Sequence, residues 1–236
     1  MTEEQIRKNV EHVKTEIARA AREAGRDPAE ILLVAATKMN DADSVRAAIR
    51  AGVDICGENR VQEMLEKNAQ GAYEGVPLHF IGHLQRNKVN KIVGKVDLIQ
   101  SVDSEALLTL IDRRAAARGI VQDILIEVSV AGEAQKSGIA PAALPALLHA
   151  ASRCAALRVR GLMCVPPIVV DGGTNRPYFA LMQQLFVDNR SKKYDNVFMD
   201  FLSMGMSDDF EDAIACGANM VRVGSSIFGA RNYTQK

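Results

Sequence analysis

The chain has 236 residues, 47% of them apolar and 25% charged, a composition that excludes a disordered, fibrous or membrane-embedded protein. Its 29 basic residues balance 29 acidic ones, so no global field draws it to nucleic acid or an anionic membrane, and any anion must be caught locally. The length predicts one domain over 1–236, close to the roughly 250 residues typical of an eightfold β/α barrel.

Met1-Thr2-Glu3-Glu4 runs straight into an amphipathic pattern without a charged-then-apolar leader, which predicts a cytoplasmic protein. Ile6, Val10, Val13 and Ile17 form one stripe of a helix over 2–24, and Thr2-x-x-Gln5 reads as its capping box. Gly25 and Asp27-Pro28 end that helix, and Ile31 to Ala36 is then apolar on both faces, as a strand inside a parallel sheet must be.

The unit of apolar strand, polar loop and helix recurs, with further strands starting near Val53, Leu78, Asp97, Asp123, Arg158, Val197 and Asn219. Stripes such as Val45/Ala48/Ile49, Val61/Met64/Leu65, Leu107/Leu108/Ile111, Leu144/Leu147/Leu148, Leu181/Met182/Leu185 and Phe210/Ile214 mark the helices between them. Gly52, Gly119 and Gly217 fall at their C′ positions, and Pro141 and Pro177 near helix starts. Lys88, Lys91 and Lys95 predict a solvated basic helical face. Eight strands alternating with helices predict a closed (β/α)8 TIM barrel with an extra N-terminal helix. An open parallel sheet satisfies the same alternation, although no Gly-x-Gly-x-x-Gly follows the first strand.

Cys56, Cys154, Cys164 and Cys216 lie far apart and read as reduced core thiols. His79 and His83 have zinc-helix spacing, but Phe80-Ile81-Gly82 between them reads as strand and turn, where i and i+4 do not converge, so no metal site is expected.

In a barrel, function gathers where strands end at the C-terminal mouth. Lys38 follows an apolar run and would stand at that mouth. A solvated loop lysine is the plain reading; a desolvated amine able to attack an aldehyde is the chemical one. Gly224-Ser225-Ser226 opens the last helix with small residues and free N–H groups, which suits either an N-cap or a phosphate, and Ser203 and Gly205 on the neighbouring strand favour the phosphate. Arg222 alternates with Val221 and Val223 and so points into the barrel, where its charge needs either a carboxylate such as Glu127 or Asp200, or a ligand. Lys136 would lie on the rim, as a lid residue or a second amine. Lysine plus phosphate cradle is what a phosphorylated aldehyde cofactor needs.

Ala36-Thr37-Lys38, Cys56-Gly57-Glu58-Asn59, His79-Phe80-Ile81-Gly82-His83-Leu84-Gln85, Lys136-Ser137-Gly138, Arg160-Gly161-Leu162-Met163, Leu202-Ser203-Met204-Gly205-Met206-Ser207 and Val221-Arg222-Val223-Gly224-Ser225-Ser226 occur in this order along nearly the whole chain. Together they resemble the pyridoxal phosphate homeostasis protein family. The resemblance implies a barrel of the alanine racemase N-terminal-domain type that binds pyridoxal 5'-phosphate (PLP). Lys38 matches the cofactor lysine that forms a Schiff base, and Ser203, Gly224 and Ser225 match phosphate contacts. Arg222 would face the pyridine nitrogen, and Asn59 and Met163 would border the ring. Cys56 stands where an aromatic is common in the family and Leu78 where Trp is common, which leaves the cofactor residues intact.

The function implied is a PLP carrier in intracellular PLP homeostasis, handing PLP to apoenzymes, and not a robust enzyme; a monomer is the default expectation. The alternative is a PLP-dependent amino-acid racemase, which needs a second base on the opposite cofactor face. A Schiff-base aldolase acting on a sugar phosphate is a third, more distant reading.

Overall fold

The computed structural model describes residues 1–132, 137–167, 173–192 and 194–229; Lys136 lies outside the described residues. Helix α1, Glu3–Glu23, begins with the expected capping box, in which the Thr2 hydroxyl accepts from the Gln5 N–H and the Gln5 side chain accepts from the Thr2 N–H. Its stripe of Ile6, Val10, Val13 and Ile17 is buried against the outside of the barrel, so α1 is the extra N-terminal helix.

The elements then alternate as β1 (Leu32–Ala36), α2 (Ala42–Arg50), β2 (Ile55–Glu58), α3 (Val61–Ala69), β3 (Leu78–Phe80), α4 (Val89–Ile92), β4 (Leu98–Val102) and α5 (Glu105–Ala116). The second half continues with β5 (Gln122–Glu127), α6 (Leu144–Ala151), β6 (Leu157–Met163), α7 (Arg176–Arg190), β7 (Val197–Ser203), α8 (Phe210–Ala215), β8 (Met220–Val223) and α9 (Ser225–Phe228). Parallel pairing runs in sequence order and closes where β1 meets β8, with Val34 opposite Arg222 and Ala35 opposite Val223. The closed barrel excludes the open sheet, and each predicted strand start lies within two residues of the observed one.

Closure gives the strands two environments. Outward residues such as Leu33, Ala35, Ile99 and Ile124 join the helices in one large core, whereas Val34, Ile55, Leu98, Leu125, Met163 and Met220 form a separate cluster inside the barrel. Below that cluster, Asp123, Arg158, Arg160 and Asp200 form an ion-pair layer, with Arg160 bonded to Asp123 at 2.8 Å and to Asp200 at 2.5 Å.

Three expectations about elements are corrected. The basic stripe spans no continuous helix: a 3-10 turn at Arg86–Lys88 leads into α4, a single turn from Val89 to Ile92, and Lys95 lies beyond it because the chain leaves the helix at Val93 and Gly94, the latter at φ +72°. On α7 the buried stripe is Phe179, Met182 and Phe186, while Leu181 is exposed. Cys56 and Cys164 are core thiols, but Cys154 and Cys216 are only half-buried. Among the described residues, no helix is long and apolar enough to cross a membrane.

Candidate functional site

All seven residues expected at the site stand at the C-terminal ends of strands. Met163 and Ser203 close β6 and β7 and face each other in register, Arg222 is the penultimate residue of β8, and Asn59 follows β2. Gly224 and Ser225 follow β8, which pairs with β1, so they adjoin the segment carrying Lys38; a Cβ on Gly224 would stand 3.3 Å from the Cβ of Ala36.

Arg222 is buried, and neutral groups hold it. Its Nη1 donates to Ser203 Oγ at 2.6 Å and its Nη2 to the Cys164 carbonyl at 2.7 Å. Asp200 is not its partner, since that carboxylate is bound to Arg160 in the layer below, and Glu127 acts on it only through the field. Burial pulls the guanidinium below its ordinary value, opposed by Cys164, Glu127 and Asp209, yet a guanidinium this basic keeps its charge.

Ser203 passes the network on, donating to Gln100 Oε1 at 2.7 Å, and Gln100 Nε2 lies 3.0 Å from His79 Nδ1. A polar chain thus crosses the barrel from β8 to β3. Burial pushes His79 down to about 4, so its ring is neutral; with Nδ1 accepting from Gln100, the proton is assigned to Nε2. Gln100 was absent from the sequence expectations, and His79 entered them only as a dismissed metal candidate and within a family motif. Their signal is parity, because each is a polar residue at an inward position of an apolar strand.

At the start of α9 the N–H groups of Gly224 and Ser226 converge on one oxygen, Ser207 Oγ, at 3.2 and 3.4 Å. Two donors aimed at a single oxygen form the kind of cradle a phosphate oxygen occupies. The Ser203 hydroxyl, expected as a phosphate contact, stands between Arg222 and Gln100, and the Ser207 hydroxyl is the one that meets the N–H groups. Ser225 is exposed at the rim.

Lys38 is half-buried and its segment is braced from beneath. Thr37 Oγ1 donates to Glu58 Oε1 at 2.6 Å, and the Lys67 ammonium donates to the Thr37 carbonyl at 2.7 Å and to Glu58 at 2.6 Å. Lys67 has a sequence mark of its own, since a lysine one turn beyond Met64 on a buried stripe is an anomaly.

The mouth has polar atoms to spare. Among the described residues, Asn59 Oδ1, Ser101 Oγ and Glu127 Oε2 are buried without a hydrogen-bond partner. Burial raises the Glu127 carboxyl to about 7, with Asp103 adding to the rise and Arg222 opposing it. Buried polar atoms without partners at strand ends, together with a buried cation and an N–H cradle, fit a polar ring bearing a phosphate.

Residues 4–232 match the profile of the family described as alanine racemase, N-terminal domain. The pyridoxal phosphate homeostasis protein of Pseudomonas aeruginosa is 40% identical over 97% of this chain and 96% of its own length. That of Aquifex aeolicus is 42% identical over 92% of this chain and 94% of its own. The chain belongs to the pyridoxal phosphate homeostasis protein family. Among solved structures, PipY of Synechococcus elongatus PCC7942 with PLP bound superposes with a TM-score of 0.78 at 33% identity, covering 90% of this chain and 100% of that one.

Proposed function

We propose that this chain binds PLP at the barrel mouth, holds it as a Schiff base on Lys38, and serves intracellular PLP homeostasis as a carrier. The observation that carries this reading is the β1–β8 pairing, which sets the Lys38 segment beside the Gly224 and Ser226 N–H groups. Family membership and the PLP-bound PipY support it.

Lys38 supplies the amine, and the N–H groups at Gly224 and Ser225–Ser226 take the phosphate. Arg222 faces the pyridine nitrogen with Ser203 orienting its guanidinium, and Asn59 and Met163 border the ring. PLP supplies a reactive aldehyde and a ring that accepts electrons best when its nitrogen is protonated. Arg222 has no proton to give at neutral pH, so it keeps that nitrogen unprotonated and the electron sink weak. Storage and release follow more naturally than turnover, with PLP-dependent apoenzymes as recipients. The same reading makes residues 1–236 one cytoplasmic domain working as a monomer.

Purified protein is expected to be yellow, to bleach with borohydride and to lose the colour in Lys38→Ala; a colourless protein after incubation with PLP contradicts the reading. Incubation with single L-amino acids is expected to yield no D-enantiomer. Sustained racemisation of any of them would replace the carrier by a racemase.

A further inference from the structure

Lys67 is 4% exposed and Glu58 is fully buried, outside the set of residues assigned to the cofactor. The Lys67 ammonium donates to the Thr37 carbonyl at 2.7 Å and to Glu58 Oε1 at 2.6 Å, and forms an ion pair with Glu63 Oε1 at 2.8 Å. Glu58 Oε1 also accepts from Thr37 Oγ1 at 2.6 Å and from the Tyr73 hydroxyl at 2.9 Å. The same Glu63 oxygen accepts the backbone N–H of Met39.

The two peptide groups that flank Lys38 are therefore both tied down. Lys67 holds the carbonyl of the Thr37–Lys38 peptide, and Glu63 holds the N–H of the Lys38–Met39 peptide, whose carbonyl accepts from Asn40 Nδ2 at 3.0 Å. Met39 has φ +62°, the only non-glycine among the described residues in the left-handed region. A bulky residue there costs about 1–3 kcal/mol and persists only where its surroundings over-determine it. Fold stability alone does not call for such a cluster, since a buried ion pair replaced by apolar packing is often neutral or stabilising. What it does provide is a fixed backbone at one point, the residue between the two clamped peptides.

We propose that Lys67, acting with Glu58 and Glu63, is a positioning residue for Lys38: the bracket presents the Lys38 amine to the aldehyde of PLP. This rests on the proposed function above. In the step concerned, the Lys38 Nζ–carbon bond forms and the two protons of the neutral amine leave with the carbonyl oxygen as water, so no oxidant or reductant is required. The proposed contacts to the phosphate and the pyridine nitrogen lie on β7, β8 and α9, away from Lys67 and Glu63; of the residues bordering the ring, only Asn59 adjoins the bracket, through Glu58. Loosening it is expected to slow covalent capture while leaving non-covalent affinity in place.

The full-length protein, freed of cofactor, is tested as wild type, Lys67→Met and Glu63→Ala. Non-covalent affinity is measured with pyridoxine 5'-phosphate, an alcohol that has no aldehyde to capture, and covalent capture by the rate at which the yellow colour develops with PLP. Both variants are expected to lose about tenfold or more in capture rate, as small misplacements of reacting groups do, with pyridoxine 5'-phosphate affinity within about twofold of wild type on the same argument. Unchanged capture in the variants, or a parallel loss of both readouts, overturns the positioning role. If Lys67→Met does not fold because Glu58 is left without its cation, Glu63→Ala decides, since it keeps the Lys67–Glu58 pair and removes the carboxylate that Met39 and Lys67 share. A wild type that binds neither compound overturns the proposed function itself, and the positioning role with it; capture by wild type with unaffected variants overturns the positioning role alone.

Discussion

Arg222 concentrates the chemistry of the mouth in one side chain, because a buried charge held by a hydroxyl and a carbonyl keeps donor capacity for a ligand. Arg222→Ala is expected to weaken PLP retention by roughly 10- to 100-fold, the equivalent of about 1.5–3 kcal/mol for a hydrogen bond to a charged group. Equilibrium dialysis reads this directly, and unchanged affinity would reduce the arginine to a structural part. Glu127 gives a second test. Between its ordinary value of 4.5 and about 7, the folded protein keeps a proton that the unfolded chain has released, so stability falls as pH rises through that window and levels off above it. Glu127→Gln removes that slope. In cofactor-free protein the variant should gain on wild type, by on the order of 1–3 kcal/mol, between pH 5 and pH 8. Urea titrations at the two pH values check this, and parallel stabilities would mean that Glu127 is solvated.

Lys38, Arg222 and the Gly224-Ser225 turn were legible because a strand end, a strand parity and a small-residue turn each have a sequence mark. Gln100 and His79 carried only the mark of parity and Ser207 only its place in a motif; their partners depend on which residues meet across the closed barrel. Lys67 was legible in part, as a cation on a buried stripe, but its partners Glu58 and Thr37 belong to other elements.

At the scale of elements, alternation and capping placed the strands well, while length misled at α4. A run with helical spacing from Lys88 to Lys95 yields one turn because Gly94 adopts a left-handed conformation. The irregularity in β6 was invisible in the apolar pattern. Gly161 has φ +144°, and a Cβ there would lie 1.9 Å from the Phe201 carbonyl oxygen, at the point where the β6–β7 register shifts. The shift lets Arg160 face the ion-pair layer and Met163 the mouth on one strand. Gly161→Ala is expected to cost about 2–4 kcal/mol, since both the conformation and the contact are backbone-determined. Urea denaturation checks this; a loss below about 1 kcal/mol, the level of a simple Gly-to-Ala propensity change, would mean the strands can separate there. Gly82 is a second such approach, with a Cβ placed 2.3 Å from the Asn59 carbonyl.

For the whole molecule, the barrel stacks an ion-pair layer, an apolar layer and a polar mouth along one axis, and outward faces carry the helices. This ordering explains why a chain with equal numbers of acids and bases can concentrate cationic donors at one end without a global field. The proposed monomer predicts a sedimentation mass of one chain with and without PLP; a stable dimer would contradict it. The proposed function turns on Lys38 as the residue that carries the cofactor. Protein incubated with PLP, reduced with borohydride, digested and mapped by mass spectrometry should show the added pyridoxyl phosphate group on the peptide containing Lys38 and nowhere else at comparable yield. A main adduct on Lys136 or another lysine, or no adduct at all, would contradict the account.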